Sequence, residues 1–183
     1  LPCRCVVMDF VIVSTSGARL MEPEVVRAAV RHLFPLCTLV MMRRGNALEL
    51  LRLCRALPGN PGLLPAEGAL CKNSLAEVAT AIMRLEAGPQ ALFLKGEEVS
   101  SDAYTDLFLS REAFTVAEPS SATLAEGAVA AGNLKFFSRM GAIERALHGS
   151  AGAFTSALAF YLTKAPSAVV AVERSLAYVN QLI

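Results

Sequence analysis

The sequence lacks several features that mark particular classes of protein. Its 17 lysines and arginines nearly balance 16 aspartates and glutamates, so no net charge favours nucleic acid or a membrane surface as a partner. No apolar run approaches the ~20 residues that a membrane-spanning helix requires. The 183 residues contain no low-complexity tract, and a chain of this length can bury the core of one compact domain. We therefore expect a single domain over residues 1–183.

The cysteine and histidine content argues against a metal centre. The five cysteines include no C-x-x-C pair, and Cys3 and Cys5 are followed by no second pair of ligands at a useful spacing. His32 stands alone on a predicted helix face. We predict no metal site, and reduced, buried thiols in a reducing intracellular compartment, with cytoplasm and mitochondrial matrix not distinguished. No signal peptide is visible, and because the chain starts at Leu1 we expect the natural N-terminus to lie upstream.

Apolar strands alternate with helices along the chain. Residues 5–13 are apolar except for Asp9 and rich in β-branched side chains, which is typical of a strand buried on both faces of a parallel sheet. Further strands are predicted at 37–42, 90–96, 103–110 and 112–118, the last two as a hairpin. Helices are predicted at 22–34, 46–57, 74–86, 150–163 and 167–182. This order predicts an α/β fold with a mostly parallel sheet flanked by helices.

Two segments interrupt the alternation. Residues 58–72 contain three prolines and three glycines, which predicts a loop. Residues 119–147 are small, polar and irregular, with a short helix as the one element considered there. We expect both segments to contact a protein partner.

Five segments together carry a family resemblance. They are VVMDFVIVSTSGARLMEPEVV at 6–26, LFPLCTLVMM at 33–42, ALFLKGEE at 91–98, HGSAGAFTSALAFYL at 148–162 and SAVVAVERSLAYVNQLI at 167–183. In this order they resemble segments of the hydroxymethylpyrimidine phosphate kinases (phosphomethylpyrimidine kinases) of the ribokinase superfamily. The resemblance implies a ribokinase-like fold whose N-terminal part, with its first strands and much of the pyrimidine pocket, is absent from these residues. It also implies that 58–72 and 119–147 are insertions relative to the family.

The start of the fourth segment predicts an anion site. Small residues at Gly149, Ser150, Ala151 and Gly152 would leave backbone N–H groups open at the beginning of a helix. The resemblance implies that the family's general base, a cysteine, would stand at Gly152, which has no titratable atom. Losing a general base costs about 10²–10⁴-fold in rate. We therefore assign no catalytic residue, and we interpret the neighbouring His148 as structural.

The resemblance also implies a magnesium and phosphate motif, Asn-x-x-Glu, after the second strand. Arg43 and Asn46 stand at those positions, so the carboxylate that would support the metal is replaced. Lys95 is kept, while Glu97 replaces a family glycine. We predict Lys95 and Arg43 as candidates for contacting nucleotide phosphates. Two interpretations of Arg43 and Arg44 stay open: they bind phosphate directly, or they are solvated at the end of a strand.

These substitutions predict a kinase-like domain that has lost catalysis, a pseudoenzyme acting as a structural or interaction subunit of a larger protein assembly without any cofactor. The alternative is an active kinase that uses ATP and magnesium on hydroxymethylpyrimidine, its phosphate or a pyridoxal-type alcohol. A third hypothesis is a nucleotide or phosphate sensor without turnover. Glu97 or Glu98 close to the helix start would favour the active kinase.

Overall fold

The described residues of the computed structural model, 5–54, 75–100, 103–111, 134–140 and 150–181, form a five-stranded sheet and five helices. The strands are β1 (Val7–Asp9), β2 (Leu39–Arg43), β3 (Ala91–Ser100), β4 (Ala103–Ser110) and β5 (Leu134–Met140). The helices are α1 (Pro23–His32), α2 (Arg44–Cys54), α3 (Leu75–Met83), α4 (Ser150–Leu162) and α5 (Ala168–Gln181). A 3₁₀ turn, Phe34–Leu36, precedes β2.

The sheet is mixed. Its strands lie side by side in chain order, with β1, β2 and β3 parallel to one another. Strand β4 is antiparallel to β3, and β5 is antiparallel to β4. The predicted α/β class with flanking helices is confirmed, and the parallel part of the sheet is the part built from strand–helix–strand units.

Helices cover both faces of the sheet. On β2, Val40 and Met42 pack with α1, α2 and α3, whereas Leu39 and Met41 pack with α4 and α5. All four side chains are buried, as expected for an interior strand between two helical layers. The two apolar clusters on either side of the sheet therefore make a three-layer core.

Helix α1 ends earlier than its apolar pattern predicts. Pro23 occupies its first turn, where the missing N–H removes no helical hydrogen bond. Pro35 cannot donate the N–H that a longer helix would need, and its ring would clash with the preceding turn. The chain therefore passes into the 3₁₀ turn instead of continuing as a helix to residue 34.

Strand β1 corrects one prediction. The predicted strand over residues 5–13 is reduced to Val7–Asp9, in which no residue is fully buried. The prediction of burial on both faces is wrong because β1 is the first strand in the sheet order and has one neighbour among the described strands. The buried side chains of this segment, Phe10 and Ile12, lie after the strand.

Strand β3 extends beyond its predicted end at Gly96. The register with β4 shifts between Leu94 and Glu97, and Gly96 adopts a φ of 73°, which glycine tolerates better than other residues. The Gly96 N–H donates to Oδ1 of the buried Asp106 at 2.8 Å. Gly96 thus lies at an irregularity within a long strand and does not end it.

The segment 119–147 requires a second correction. Residues 134–140, predicted to be irregular, form strand β5. Because β3 and β5 occupy both edges of β4, the predicted hairpin between 103–110 and 112–118 is wrong. The structure of 112–118, of 58–72 and of the rest of 119–147 lies outside the described residues.

The thiols of the described residues are free, as predicted. Cys37 and Cys54 are buried and Cys5 is half-buried. Burial raises the pKa of Cys54 to about 11, against an opposing effect of the nearby Arg27, so this thiol is poorly nucleophilic at neutral pH. Within the described part of the chain, no helix is both long and apolar enough to cross a membrane.

Candidate functional site

The ends of β1 and β2, and the last residue of β3 that pairs with β2, bring three charged residues together. Asp9 ends β1 and Arg43 ends β2, while Lys95 lies on β3 directly beside Arg43 in the parallel register. Asp9 and Arg43 are exposed, and Lys95 is half-buried. Ligands of open α/β sheets bind outside the carboxyl ends of parallel strands. We call this group of Asp9, Arg43 and Lys95 the carboxyl-edge cluster.

The charges of the carboxyl-edge cluster act on Asp9. Desolvation by the surrounding protein raises the pKa of Asp9 above its ordinary value. The positive charges of Lys95 and Arg43 oppose this shift. The carboxylate of Asp9 therefore lies in the combined field of two cations, and the cluster as a whole is positive.

The N-terminal half of α4 lies against the same edge of the sheet. The Lys95 Nζ is 4.5 Å from the centre of the Phe154 ring, a cation–π distance. Phe154 in turn stacks on Phe93 of β3, with 5.0 Å between ring centres. The Thr155 hydroxyl donates to the Met41 sulfur at 3.2 Å. These contacts fix the beginning of α4 beside Lys95.

The predicted anion-binding turn is partly described. Gly149 and His148 lie outside the described residues, and Ser150 is the first residue of α4. Gly152 is exposed within the first turn of the helix, and a Cβ added there would meet no atom within 4 Å. The position that the family resemblance assigns to the base is therefore open to solvent and has no side chain. Binding of an anion at Gly149, Ser150, Ala151 and Gly152 stays a prediction.

Asn46 has a role that the sequence analysis missed. It lies buried in the first turn of α2, where its Oδ1 accepts the N–H groups of Ile12 at 2.9 Å and Val13 at 2.7 Å. Its Nδ2 donates to the Val13 carbonyl at 3.2 Å. Asn46 thus holds the segment after β1 against α2. The sequence signal was an isolated amide beside the apolar Ala47 and Leu50. The sequence does not identify its partners, because they lie more than thirty residues away along the chain.

The described residues do not fit the magnesium ion that the family resemblance implies. Mg²⁺ prefers several oxygen ligands in octahedral geometry. Asp9 faces Arg43 and Lys95, and the Asn46 oxygen already accepts two backbone N–H groups. No group of three or more His, Cys, Asp or Glu side chains in the described part could hold a metal. The side chains of Glu97 and Glu98 lie outside the described part.

The sheet with helices on both faces and a charged carboxyl edge defines a three-layer α/β domain. Solved kinase structures superpose on it. The pyridoxal kinase of Staphylococcus aureus in complex with AMP-PCP has a TM-score of 0.63 and 20% identity, over 97% of this chain and 51% of the kinase. The phosphomethylpyrimidine kinase of Clostridium difficile 630 has a TM-score of 0.60 and 17% identity, over 98% of this chain and 57% of the kinase. The chain thus spans about half the length of these kinases.

The chain belongs to the phosphomethylpyrimidine kinase family, because the model of that family matches residues 2–183. A putative phosphomethylpyrimidine kinase from Bacteroides thetaiotaomicron is similar in structure, with a TM-score of 0.59 and 16% identity over 99% of this chain and 53% of that protein. A search of curated protein sequences found no match. The family resemblance of the five sequence segments is therefore confirmed, and the solved structures confirm the fold.

Proposed function

We propose that this domain keeps the kinase fold without phosphoryl transfer and serves as a structural or interaction subunit of a larger assembly. The observation that carries the proposal is Gly152, which leaves the family's base position, in the first turn of α4, without a side chain. An acceptor hydroxyl must lose its proton as the phosphoryl group arrives, and kinases supply a base for this step. Backbone N–H groups at the start of α4 can only donate hydrogen bonds.

The second support is the loss of a metal ligand at α2. Phosphoryl transfer needs positive charge that bridges and neutralises the phosphate oxygens, usually supplied by Mg²⁺. Asn46 offers no free oxygen for this purpose, since its amide is fully engaged with Ile12 and Val13. A base and a metal-supporting carboxylate are thus both replaced, while the packing of the sheet and helices is intact.

An interaction role is supported by the free side of β1. Among the described strands, β1 has β2 on one side and no strand on the other. The apolar side chain of Val6, which directly precedes this strand, is 38% exposed. Unpaired strand edges favour pairing with further β-structure. A surface of this kind suits a domain that is completed by other protein.

The test of lost catalysis is an ADP-release assay with ATP, magnesium and either hydroxymethylpyrimidine or its phosphate. We expect no turnover from the chain. We also expect none from Gly152→Cys, because this variant restores the base but still lacks the carboxylate that would support the metal. The Clostridium difficile phosphomethylpyrimidine kinase in the same assay is the positive control. Turnover near one per second, which is typical of kinases, would overturn the proposal.

The alternative of an active kinase is favoured by the position of Asp9, which ends β1 at the carboxyl edge and whose pKa burial raises. A carboxylate with a raised pKa is a better base, and this one lies beside Lys95, which could attract phosphate. If the chain turns over ATP, Asp9→Asn should abolish that turnover. The substrate in this case would be hydroxymethylpyrimidine, its phosphate or a pyridoxal-type alcohol.

A further inference from the structure

We infer that the carboxyl edge of the sheet binds a phosphate-bearing anion without any divalent cation, with Arg43 and Lys95 providing the positive charge. The inference rests on the proposed function, since it states what the site still does once phosphoryl transfer is lost. It starts from the disagreement between the magnesium site that the family resemblance implies and the side chains that the structure places there.

The first step is the pairing of two different cations. Arg43 and Lys95 occupy matched positions on neighbouring parallel strands, so their side chains start about 5 Å apart. The guanidinium of an arginine is a planar fork that can donate two parallel hydrogen bonds to a phosphate. The ammonium of a lysine is a compact charge that can contact a second oxygen. Together they match the shape and charge of a phosphate group.

The second step is the position of Lys95 relative to α4. Its ammonium is held over the ring of Phe154, in the N-terminal half of that helix. A helix N-terminus presents unpaired N–H groups and a partial positive charge. An anion held by Lys95 would therefore lie on the side of α4 where it is stabilised by the helix as well as by the side chain.

The third step is the balance of charges. Among the described side chains of this edge, Asp9 is the one carboxylate, and both Arg43 and Lys95 act on it. A divalent cation at Asp9 would be repelled by these two cations, whereas an anion would be attracted by them. The Arg43 side chain thus supplies the positive charge that a metal ion bound to the nucleotide would otherwise provide.

The experiment is isothermal titration calorimetry of the full chain with inorganic pyrophosphate, and separately with ADP, in EDTA and in excess MgCl₂. We expect binding of both probes in EDTA, with an affinity that magnesium does not increase. Binding of pyrophosphate alone would assign the site to a simple anion, and tighter binding of ADP would assign it to a nucleotide. Either result supports the inference.

Variants locate the binding. Arg43→Gln and Lys95→Gln should each weaken pyrophosphate binding by about tenfold in EDTA. Arg43→Lys keeps the positive charge without the planar guanidinium, so it should weaken pyrophosphate binding less than Arg43→Gln does. The matched control is Arg31→Gln, because Arg31 is exposed near the end of α1, a helix that returns the chain to the opposite edge of the sheet. Circular dichroism establishes that each variant is folded.

Three results would overturn the inference: no binding of either probe in EDTA, a tenfold gain on adding magnesium, or equal losses in Arg31→Gln and Arg43→Gln. The last would indicate attraction to the whole surface and not to this edge. The ADP-release assay is read independently of these results. Turnover there would overturn the proposed loss of catalysis, whereas failure of the titration alone would leave that loss standing.

Discussion

Asn46 joins two segments that the chain separates by more than thirty residues. Its amide satisfies two backbone donors and one backbone acceptor of Ile12 and Val13, all at hydrogen-bond distance. A carboxylate of similar size could accept both N–H groups but could not donate to the Val13 carbonyl. The amide is therefore the side chain that this structural position requires, whatever the residue's counterpart does in related kinases.

The contribution of Asn46 to stability is testable. Asn46→Ala leaves the N–H groups of Ile12 and Val13 without their side-chain acceptor, so we expect a loss of about 2 kcal/mol in the free energy of unfolding. Asn46→Glu should also destabilise the fold, because a carboxylate would face the Val13 carbonyl. Urea denaturation measures both. Asn180→Ala, on the exposed side of α5, is the control and should change the unfolding midpoint little.

The sequence predicts the charged residues of the candidate site better than its polar contacts. Lys95 and Arg43 were identified from the positions that the family resemblance implies, and the parallel register of β2 and β3 places them side by side. Asn46 was identified as the residue that replaces a metal-supporting glutamate, whereas in the structure its side chain forms hydrogen bonds with the backbone of Ile12 and Val13. Hydrogen-bond partners of this kind depend on the tertiary arrangement of a loop and a helix, and no local pattern encodes them.

The loop between β1 and α1 is an element without regular structure that is nevertheless fastened to α2. Val13 and Arg19 form an isolated antiparallel bridge, and Gly17 at the tip has a φ of 85°. Arg19 forms an ion pair with Glu49 of α2 at 2.7 Å, and Arg52 contacts the same carboxylate at 2.8 Å. The loop is thus held at a second point besides Asn46.

The ion pairs of Glu49 predict a pH dependence of stability. The hydrogen bond from Arg52, and then that from Arg19, lower the pKa of Glu49 from 4.5 to about 2, against the opposing effect of desolvation. A lowered folded-state pKa stabilises the fold above the ordinary pKa, and this stabilisation is lost as the pH falls through about 2. Allowing for solvent screening of the arginines, we expect about 1–2 kcal/mol at neutral pH.

Glu49→Gln separates this contribution from the rest of the protein. The difference in unfolding free energy between the native sequence and Glu49→Gln should be largest at neutral pH and should shrink as the pH falls below about 4.5. Glu24→Gln is the control, because Glu24 pairs with Arg27 at a comparable 2.8 Å but is far more exposed. A constant difference for Glu49→Gln across this range would show that the carboxylate is not stabilised by its arginines.

At the scale of elements, the sequence predicts which segments are helices and strands but not how the strands pair. Helix α4 and strand β4 were placed within a residue or two of their bounds, because their patterns are long and regular. Strand β5 was missed because its Lys135 and exposed Phe136 give no clean alternation of buried and exposed residues. Its pairing with β4 bridges more than twenty residues of chain, so no turn signal marks it.

For the molecule as a whole, the two faces of the sheet are covered differently from its β1 edge. Both faces are buried under helices, whereas the outer side of β1 has no strand against it among the described residues. The Val6 carbonyl and the Phe10 N–H bond to β2, so alternation directs the backbone groups of Val7 and Asp9 away from the sheet. These groups can pair with another strand.

The free side of β1 predicts that the isolated chain self-associates, with a second copy pairing at this edge. We expect the apparent mass in sedimentation velocity to rise with protein concentration. Val6→Lys should shift the population toward monomer, because a charge on an edge strand opposes pairing. Val25→Lys, at an exposed valine of α1, is the control and should leave the population unchanged. A chain that stays monomeric at every concentration would show that the side of β1 is closed, and would remove the structural support for an interaction role.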